Sequence, residues 1–536
     1  MASLVYTHKV EKWGVFEAQI YGKSQGNPFT DYTITAHFSG KNESRTVDGF
    51  YDGEGIYRVR FMPSFEGEYS FRVSGSFSEE IHEGTFTVTP AGAANHGPVR
   101  VSRIFHFAYE DGKPYYSLGT TCYVWNLQSQ ALQEQTLESL KNGPFNKIRF
   151  CIWPKHYDYN LNEPVSYPYE GTPMDSSVLT SENFLEYQGC PSGNSFDYKR
   201  FNPKHFQHID SCVEKLRDMG IQADLIVMHP YDRWGFSQMD AECDSLYWKY
   251  VIARLAAYRN VWWSLANEYD LFPSKTVADW ERIARILCEK DPYSHLRSIH
   301  NCRQMYDYSR PWITHCSIQR VDLYKSAELV NEWRERYRKP VVLDEIAYEG
   351  DIQHGWGNIT GQEMTRRFWE AFVRGGYPGH GETFLGFWTD QSGRVSDEAD
   401  PGRETSEGMQ VLWWAHGGRL QGESPARIRF LKTIMDQTPE PGLRPLEGWW
   451  DAAAGTVDLF PAGKGYYLFY FSFMRPAFRD FYFNDDKKYR VEVIDTWNMT
   501  IEDTGICSGH FRVKLPGRQY MAVRIRETDS ACGSAC

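Results

Sequence analysis

Two stretches of this 536-residue sequence end an apolar run on a carboxylate. Val261-Trp262-Trp263-Ser264-Leu265-Ala266 leads into Asn267-Glu268, and Pro340-Val341-Val342-Leu343 leads into Asp344-Glu345. Each run reads as a strand buried on both faces, as in a parallel sheet. A buried strand end needs no carboxylate for stability, because an ionised group there must be stripped of water. Two such ends suggest chemistry that uses a pair of acids. Hydrolysis of a glycosidic bond with retained configuration is one such reaction, with the carboxyls about 5–5.5 Å apart. One acid protonates the leaving oxygen while the other attacks the anomeric carbon. The competing reading makes Glu268 and Glu345 ordinary rim carboxylates held in salt bridges.

The pair can act together only if the fold carries both to one point. From about 100 to 440, strand-like runs alternate with amphipathic helices, the pattern of parallel βα units. Strands are expected at Tyr115-Thr121, Asn146-Trp153, Ile221-His229, Val261-Glu268, Leu296-His300, Ile313-Gln319, Pro340-Glu345 and around 376–383. Helix punctuation supports the spacing: Asn202-Pro203 is an N-cap followed by proline, and Gly220 closes that helix. Thr360 with Glu363 has the capping-box pattern, and Ser424-Pro425 opens the last helix. Eight units imply a closed (β/α)8 TIM barrel, whose active site forms at the carboxyl ends of the strands. Glu268 then ends the fourth strand and Glu345 the seventh.

Before the barrel, residues 1–95 alternate with period two, as in Tyr57-Arg58-Val59-Arg60-Phe61, and predict an immunoglobulin-like β-sandwich. Pro90 to Pro98 reads as a linker. Alternation returns in Tyr466-Phe471, Tyr489-Ile494 and Tyr520-Ile525. The expected organisation is an N-terminal β-sandwich over 1–95, a catalytic barrel over 96–440 and a C-terminal β-sandwich over 441–536.

The segments WWSLANEYD and KPVVLDE, at these two strands, resemble the retaining clan-A (β/α)8 glycoside hydrolases, which include the cellulase-like family five. The likeness covers the central domain, and the flanks look like those of a bacterial group, some of it apiosidase-like. The resemblance implies Glu268 as general acid/base, Glu345 as nucleophile and Asn267 as a donor to the sugar 2-hydroxyl. Arg149 matches the clan's arginine beside the nucleophile, where a guanidinium keeps Glu345 ionised. His229 and His315 fall at positions that in the clan orient the nucleophile or bind hydroxyls, although a lone histidine is as readily structural. His380 and Glu382, at the end of the eighth strand, would grip sugar hydroxyls. The clan often has a tryptophan near there, and Trp388 is the nearest substitute. Trp125, Trp153 and Trp234, at or just after the ends of the first three strands, are sugar platforms or rim packing. The long segment His156 to Phe201 would wall off one end of the cleft and favour exo-cleavage of short β-linked oligosaccharides or small glycosides. A β-furanosidase of the apiosidase kind is the alternative within catalysis, and a non-catalytic carbohydrate-binding protein the alternative outside it.

The formal charge of −12 argues against nucleic acid and anionic membranes, which need basic patches. No run approaches the roughly 18–20 apolar residues that span a bilayer. The start shows no basic region followed by an apolar one, and the 11 cysteines lack CxxC pairs, so a reducing cytoplasm is expected. Most cysteines read as small buried hydrophobes, and Cys532 and Cys536 as a frayed tail. No cofactor and no metal is expected: the first barrel strand has no HxH, and His205 with His208 lacks a third ligand. The acidic stretch Asp390 to Glu404 reads as a solvated loop. The expected partner is carbohydrate, with homo-oligomers possible through the flanking sandwiches.

Overall fold

The computed structural model describes residues 4–157, 159–160, 163–180, 182–320, 322, 324–386, 410–459 and 465–528. Trp388, Cys532, Cys536 and the acidic stretch 390–404 lie outside the described residues.

Eight parallel strands form the centre: β1 (Gly119–Thr121), β2 (Lys147–Cys151), β3 (Gln222–Met228), β4 (Val261–Ala266), β5 (Arg297–Ser298), β6 (Cys316–Gln319), β7 (Val341–Glu345) and β8 (Tyr377–His380). They pair in the order β5-β4-β3-β2-β1-β8-β7-β6. A parallel bridge between His300 and Ser317 joins β5 to β6 and closes the barrel. Every residue of β2, β3, β4 and β7 is buried, which explains the apolar runs such as Leu225–Met228, Val261–Ala266 and Val341–Leu343.

The helices between the strands begin as their caps dictate. Asn202 accepts from the Lys204 backbone, with Pro203 in the first turn of Pro203–Asp218. Thr360 accepts from the Glu363 backbone, but the Glu363 side chain turns to Arg366 and Arg367, so only half of the expected capping box forms. The last helix, Ser424–Met435, has no side-chain cap of its own. Instead Glu349, far away in sequence, accepts from the backbone N–H groups of Glu423 and Ser424.

The eighth unit departs from expectation. After β8 the chain forms a further strand, Glu382–Gly386, which leaves the barrel to pair with Glu349–Gly350 and Gln410–Trp413. The expected linker leads into a hairpin, Val99–Ser102 with His106–Tyr109. Its Phe107 packs against Trp262, His315 and Tyr377 and plugs the amino-terminal end of the barrel.

The N-terminal domain pairs a four-stranded sheet with a five-stranded one around Phe16, Phe38, Phe71 and Phe86. It is locked to the barrel by a buried ionic cluster: Arg60 and Arg254 both bond Asp210, and Arg254 reaches Asp52. It also touches the long insertion, where Phe29 packs on Phe201 and Asn27 donates to the Lys199 carbonyl. The C-terminal domain has sheets of six and two strands with its own core around Phe469, Phe481 and Val523. There Cys507 is disulfide-bonded, unlike the free thiols of the barrel.

Three fully buried barrel histidines give the fold a pH dependence. Burial lowers His205 to about 4, His229 to about 3 and His315 to about 4. These folded values lie below the unfolded value near 6.5, so the stability held by the neutral rings is complete above that pH and is lost as pH falls toward 4. Each ring contributes at most on the order of 3–5 kcal/mol at neutral pH relative to acid. The thermal midpoint is expected to fall steadily between about pH 6.5 and pH 4.5, before most carboxylates titrate. A midpoint that stays level over that range would contradict the buried neutral state.

Candidate active site

Glu268 follows β4 and Glu345 ends β7, and both side chains face the carboxyl end of the barrel. Glu268 adopts a left-handed backbone (φ 51°), as does Ala347 (φ 86°) just beyond Glu345. Non-glycine residues pay on the order of 1–2 kcal/mol for that conformation, and such strain clusters at functional sites.

A chain of hydrogen bonds joins the two acids. Arg149, buried at the end of β2, donates from Nη1 to Glu345 Oε1 at 2.9 Å and from Nη2 to Asn267 Oδ1 at 2.9 Å. Asn267 Nδ2 in turn donates to Glu268 Oε2 at 3.2 Å. From the other side Gln319, the sheet neighbour of Glu345, donates to Glu268 Oε1 at 2.7 Å.

The two carboxylates have different surroundings. Glu345 is met by the hydroxyls of Tyr123 and Tyr348, the latter at 2.8 Å, and by His300 Nε2 at 3.3 Å from Oε1. Burial alone would raise its carboxyl. The His300 ring beside it, the guanidinium of Arg149 and the Tyr123 hydroxyl outweigh burial and hold it well below the usual carboxylate range. Glu268 receives only neutral donors, Tyr231, Asn267 and Gln319, and makes no ion pair among the described residues.

Beneath the pair lies a second ionic layer. Lys147 Nζ bridges Asp224 at 2.7 Å and Asp344 at 2.6 Å, and Ser317 Oγ donates to Asp344 at 2.5 Å. Asp344 therefore points away from Glu345 and into the barrel, as expected for the residue preceding the strand end.

Arg149 and Asn267 thus meet the acid pair, whereas the other expected contacts lie elsewhere. His229 bonds the Trp153 carbonyl at 3.3 Å within the wall. His315 belongs to the opposite end of the barrel, packed on Phe107 and Trp262, because it precedes β6 rather than ending it. Trp125 and Trp153 are fully covered and Trp234 is 2% exposed, so all three are wall packing and offer no face to a sugar. His380 and Glu382 are buried behind Tyr348, whose ring lies against Gly381.

Residues not anticipated fill these places. His300 and Gln319 end β5 and β6, and asking which strands end in polar residues would have found both. Tyr123, Tyr231 and Tyr348 lie in loops and carried no such signal. Lys155 is nearly buried, with its ammonium 3.7 Å from the Tyr123 ring centre and 4.1 Å from that of Tyr231. Burial lowers its pKa, and the charge of Glu268 opposes this. Tyr157 and Trp356, half-buried and tilted toward each other, are the aromatic faces at this rim.

A family model described as "Apiosidase-like, catalytic domain" matches residues 102–439, and models of two domains of unknown function match 9–76 and 449–526. A candidate glycoside hydrolase from Bacteroides vulgatus ATCC 8482, known from its crystal structure, is 36% identical over 97% of this chain and 100% of its own (TM-score 0.84). A second solved structure, described as a glycoside hydrolase, shares the fold at 16% identity over 81% of this chain and 98% of its own (TM-score 0.56). No curated protein matches the chain. With the barrel model covering more than half its length, the chain belongs to the apiosidase-like catalytic-domain family, as a glycoside hydrolase whose (β/α)8 barrel is flanked by β-domains.

Proposed function

We propose that the protein cleaves glycosidic bonds with retention, using Glu345 as nucleophile and Glu268 as general acid/base. The observation that carries this reading is the unequal pairing of the two acids across Arg149 and Asn267. A nucleophile must be ionised, and Glu345 is bonded directly by the Arg149 guanidinium, whereas Glu268 feels a cation, Lys155, only at a distance. An acid/base must exchange a proton, and Glu268 is held by neutral donors only. In the first step Glu345 attacks the anomeric carbon while Glu268 protonates the leaving oxygen, giving a covalent glycosyl-enzyme. In the second, Glu268 takes a proton from water, the water attacks the same carbon and Glu345 is released. Asn267 would donate to the 2-hydroxyl as oxocarbenium character develops.

Exo-action on short substrates rests on the insertion from 156 to 201. It is not structureless: Tyr169–Thr172 pairs with Ser195–Phe201, and the N-terminal domain braces it. At its start, Tyr157 packs on Tyr231 beside Glu268. The family match favours a β-furanoside as the second reading of the substrate. A panel of nitrophenyl pyranosides and furanosides, with the anomer of the first product read by NMR, tests both. Retention on one sugar class is expected, and inversion would overturn the mechanism.

Tyr348→Phe removes one donor to Glu345 and is expected to lower kcat/KM by about 10- to 100-fold. Its distinctive effect is on pH. With one bond to the charged form gone the Glu345 pKa rises, so the acid limb of kcat/KM moves to higher pH. An unmoved acid limb would make Tyr348 merely structural.

Eight free cysteines among the described residues favour the cytoplasm, and disulfide-bonded Cys507 is the exception. Thiol alkylation in freshly lysed cells, read by mass, tests that placement: the eight barrel cysteines are expected to be found as thiols there.

A further inference from the structure

A second cluster of ionisable groups lies behind Tyr348. Glu349 and Glu382 are direct cross-strand partners in the small parallel sheet, and both are buried, at 3% and 2% exposure. Like charges directly opposed on a sheet are destabilising, and buried carboxylates need a compensating charge. Among the described residues neither is paired with a lysine or an arginine. Among the described residues the ionisable side chain in ion-pair reach is His380, fully buried, with Nε2 at 3.4 Å from Glu382 Oε1. Neither of those two atoms has a hydrogen-bond partner.

The remaining atoms of the cluster are held in place. His380 Nδ1 lies 3.1 Å from Thr120 Oγ1, which accepts from Trp414 Nε1 at 2.7 Å, and the imidazole stacks on Phe145. If the Thr120 hydroxyl turns to the His380 carbonyl, Nδ1–H donates and Nε2 presents a lone pair. Glu382 Oε2 accepts the Gln421 N–H at 2.6 Å, leaving Oε1 free. Glu349 accepts the two N–H groups at the start of the last helix, each oxygen keeping a further lone pair. One donor atom from each residue falls within 4.8 Å of the others. That is a metal site's outer shell: a histidine fixed through its far nitrogen and carboxylates oriented by hydrogen bonds.

We propose that Glu349, His380 and Glu382 bind one divalent first-row transition ion, Zn2+ by the chemistry of the donors, as a structural centre behind the acid pair. One imidazole and two carboxylates suit zinc better than the all-oxygen sets of calcium or magnesium, and water would complete a four-coordinate shell. The ion would tie the segment after β7, the strand after β8 and the last helix together. Tyr348 immediately precedes Glu349, so the ion would also hold the hydroxyl that meets Glu345. The ligands were not legible as a motif because 30 residues lie between Glu349 and His380 and packing alone unites them.

The test uses the full chain without a histidine tag. After chelation and desalting, titration with ZnCl2 is expected to show about one ion per chain by calorimetry and elemental analysis, with a rise in thermal midpoint. Glu382→Gln and His380→Gln, checked for folding by circular dichroism, are expected to lose that uptake, while Glu268→Gln retains it. Wild-type protein that takes up no zinc would overturn the proposal, as would CaCl2 binding in preference to zinc or undiminished uptake by folded Glu382→Gln. None of these readouts depends on glycosidase turnover, so the metal site and the catalytic reading can fail separately.

Discussion

Glu345→Gln is expected to lower kcat/KM on the best aryl glycoside by at least about 10^4-fold while the protein stays folded. The amide keeps the shape of the side chain, its oxygen can still accept from Tyr123 and Arg149 and its NH2 can donate to the Tyr348 hydroxyl, but it cannot attack carbon. Its loss removes the covalent intermediate altogether, which is why the effect should exceed that of any neighbouring donor. A smaller side chain gives the sharper diagnosis. With Glu345→Ala, added azide can enter the space and attack from the same face, so activity should return with inverted glycosyl azide as product. Retained glycosyl azide from Glu345→Ala would place the nucleophile elsewhere.

Glu268→Gln should produce a loss graded by leaving group. General acid catalysis contributes about 10^2- to 10^4-fold, and most where the departing oxygen is basic. A dinitrophenyl glycoside, whose leaving group needs no proton, should undergo the first step at nearly the wild-type rate and then stall as the glycosyl-enzyme, because Glu268 must also activate water. A burst of dinitrophenol followed by slow turnover is therefore expected, whereas an unactivated alkyl glycoside should lose the full factor. Azide should speed the second step and give retained product, opposite in configuration to that from Glu345→Ala. An equal loss on all leaving groups would mean that Glu268 binds substrate rather than transferring protons.

The acid pair was readable because its positions follow from the strongest regularity in the chain. Continuous apolar runs such as Val261–Ala266 and Val341–Leu343 fixed strands buried on both faces, and their polar ends fixed the side of the barrel. The same logic applied evenly would have found His300 and Gln319. It fails for His315, because β6 begins at Cys316, three residues after the expected start at Ile313, and His315 belongs to the floor of the barrel rather than its rim. The tryptophans misled for a different reason. A large ring near a strand end is as well suited to filling the wall as to facing solvent, and burial is decided by neighbours such as Phe150 and Phe236 that no spacing reveals. Tyr348 and Glu349 were beyond reach because their roles depend on where a loop folds back. The extra strand after β8, which carries Glu382 out of the barrel, had no distinguishing periodicity.

The mechanism turns on which atom carries the sugar between the two steps. Incubating the wild-type chain with a 2-deoxy-2-fluoro glycoside of its preferred sugar, bearing an activated leaving group, should slow the second step enough to trap the intermediate. Mass spectrometry of the intact protein should then show one added glycosyl unit, and peptide mapping should place it on Glu345. A glycosyl unit on any other residue, or turnover with no covalent adduct and inverted product, would contradict the assignment.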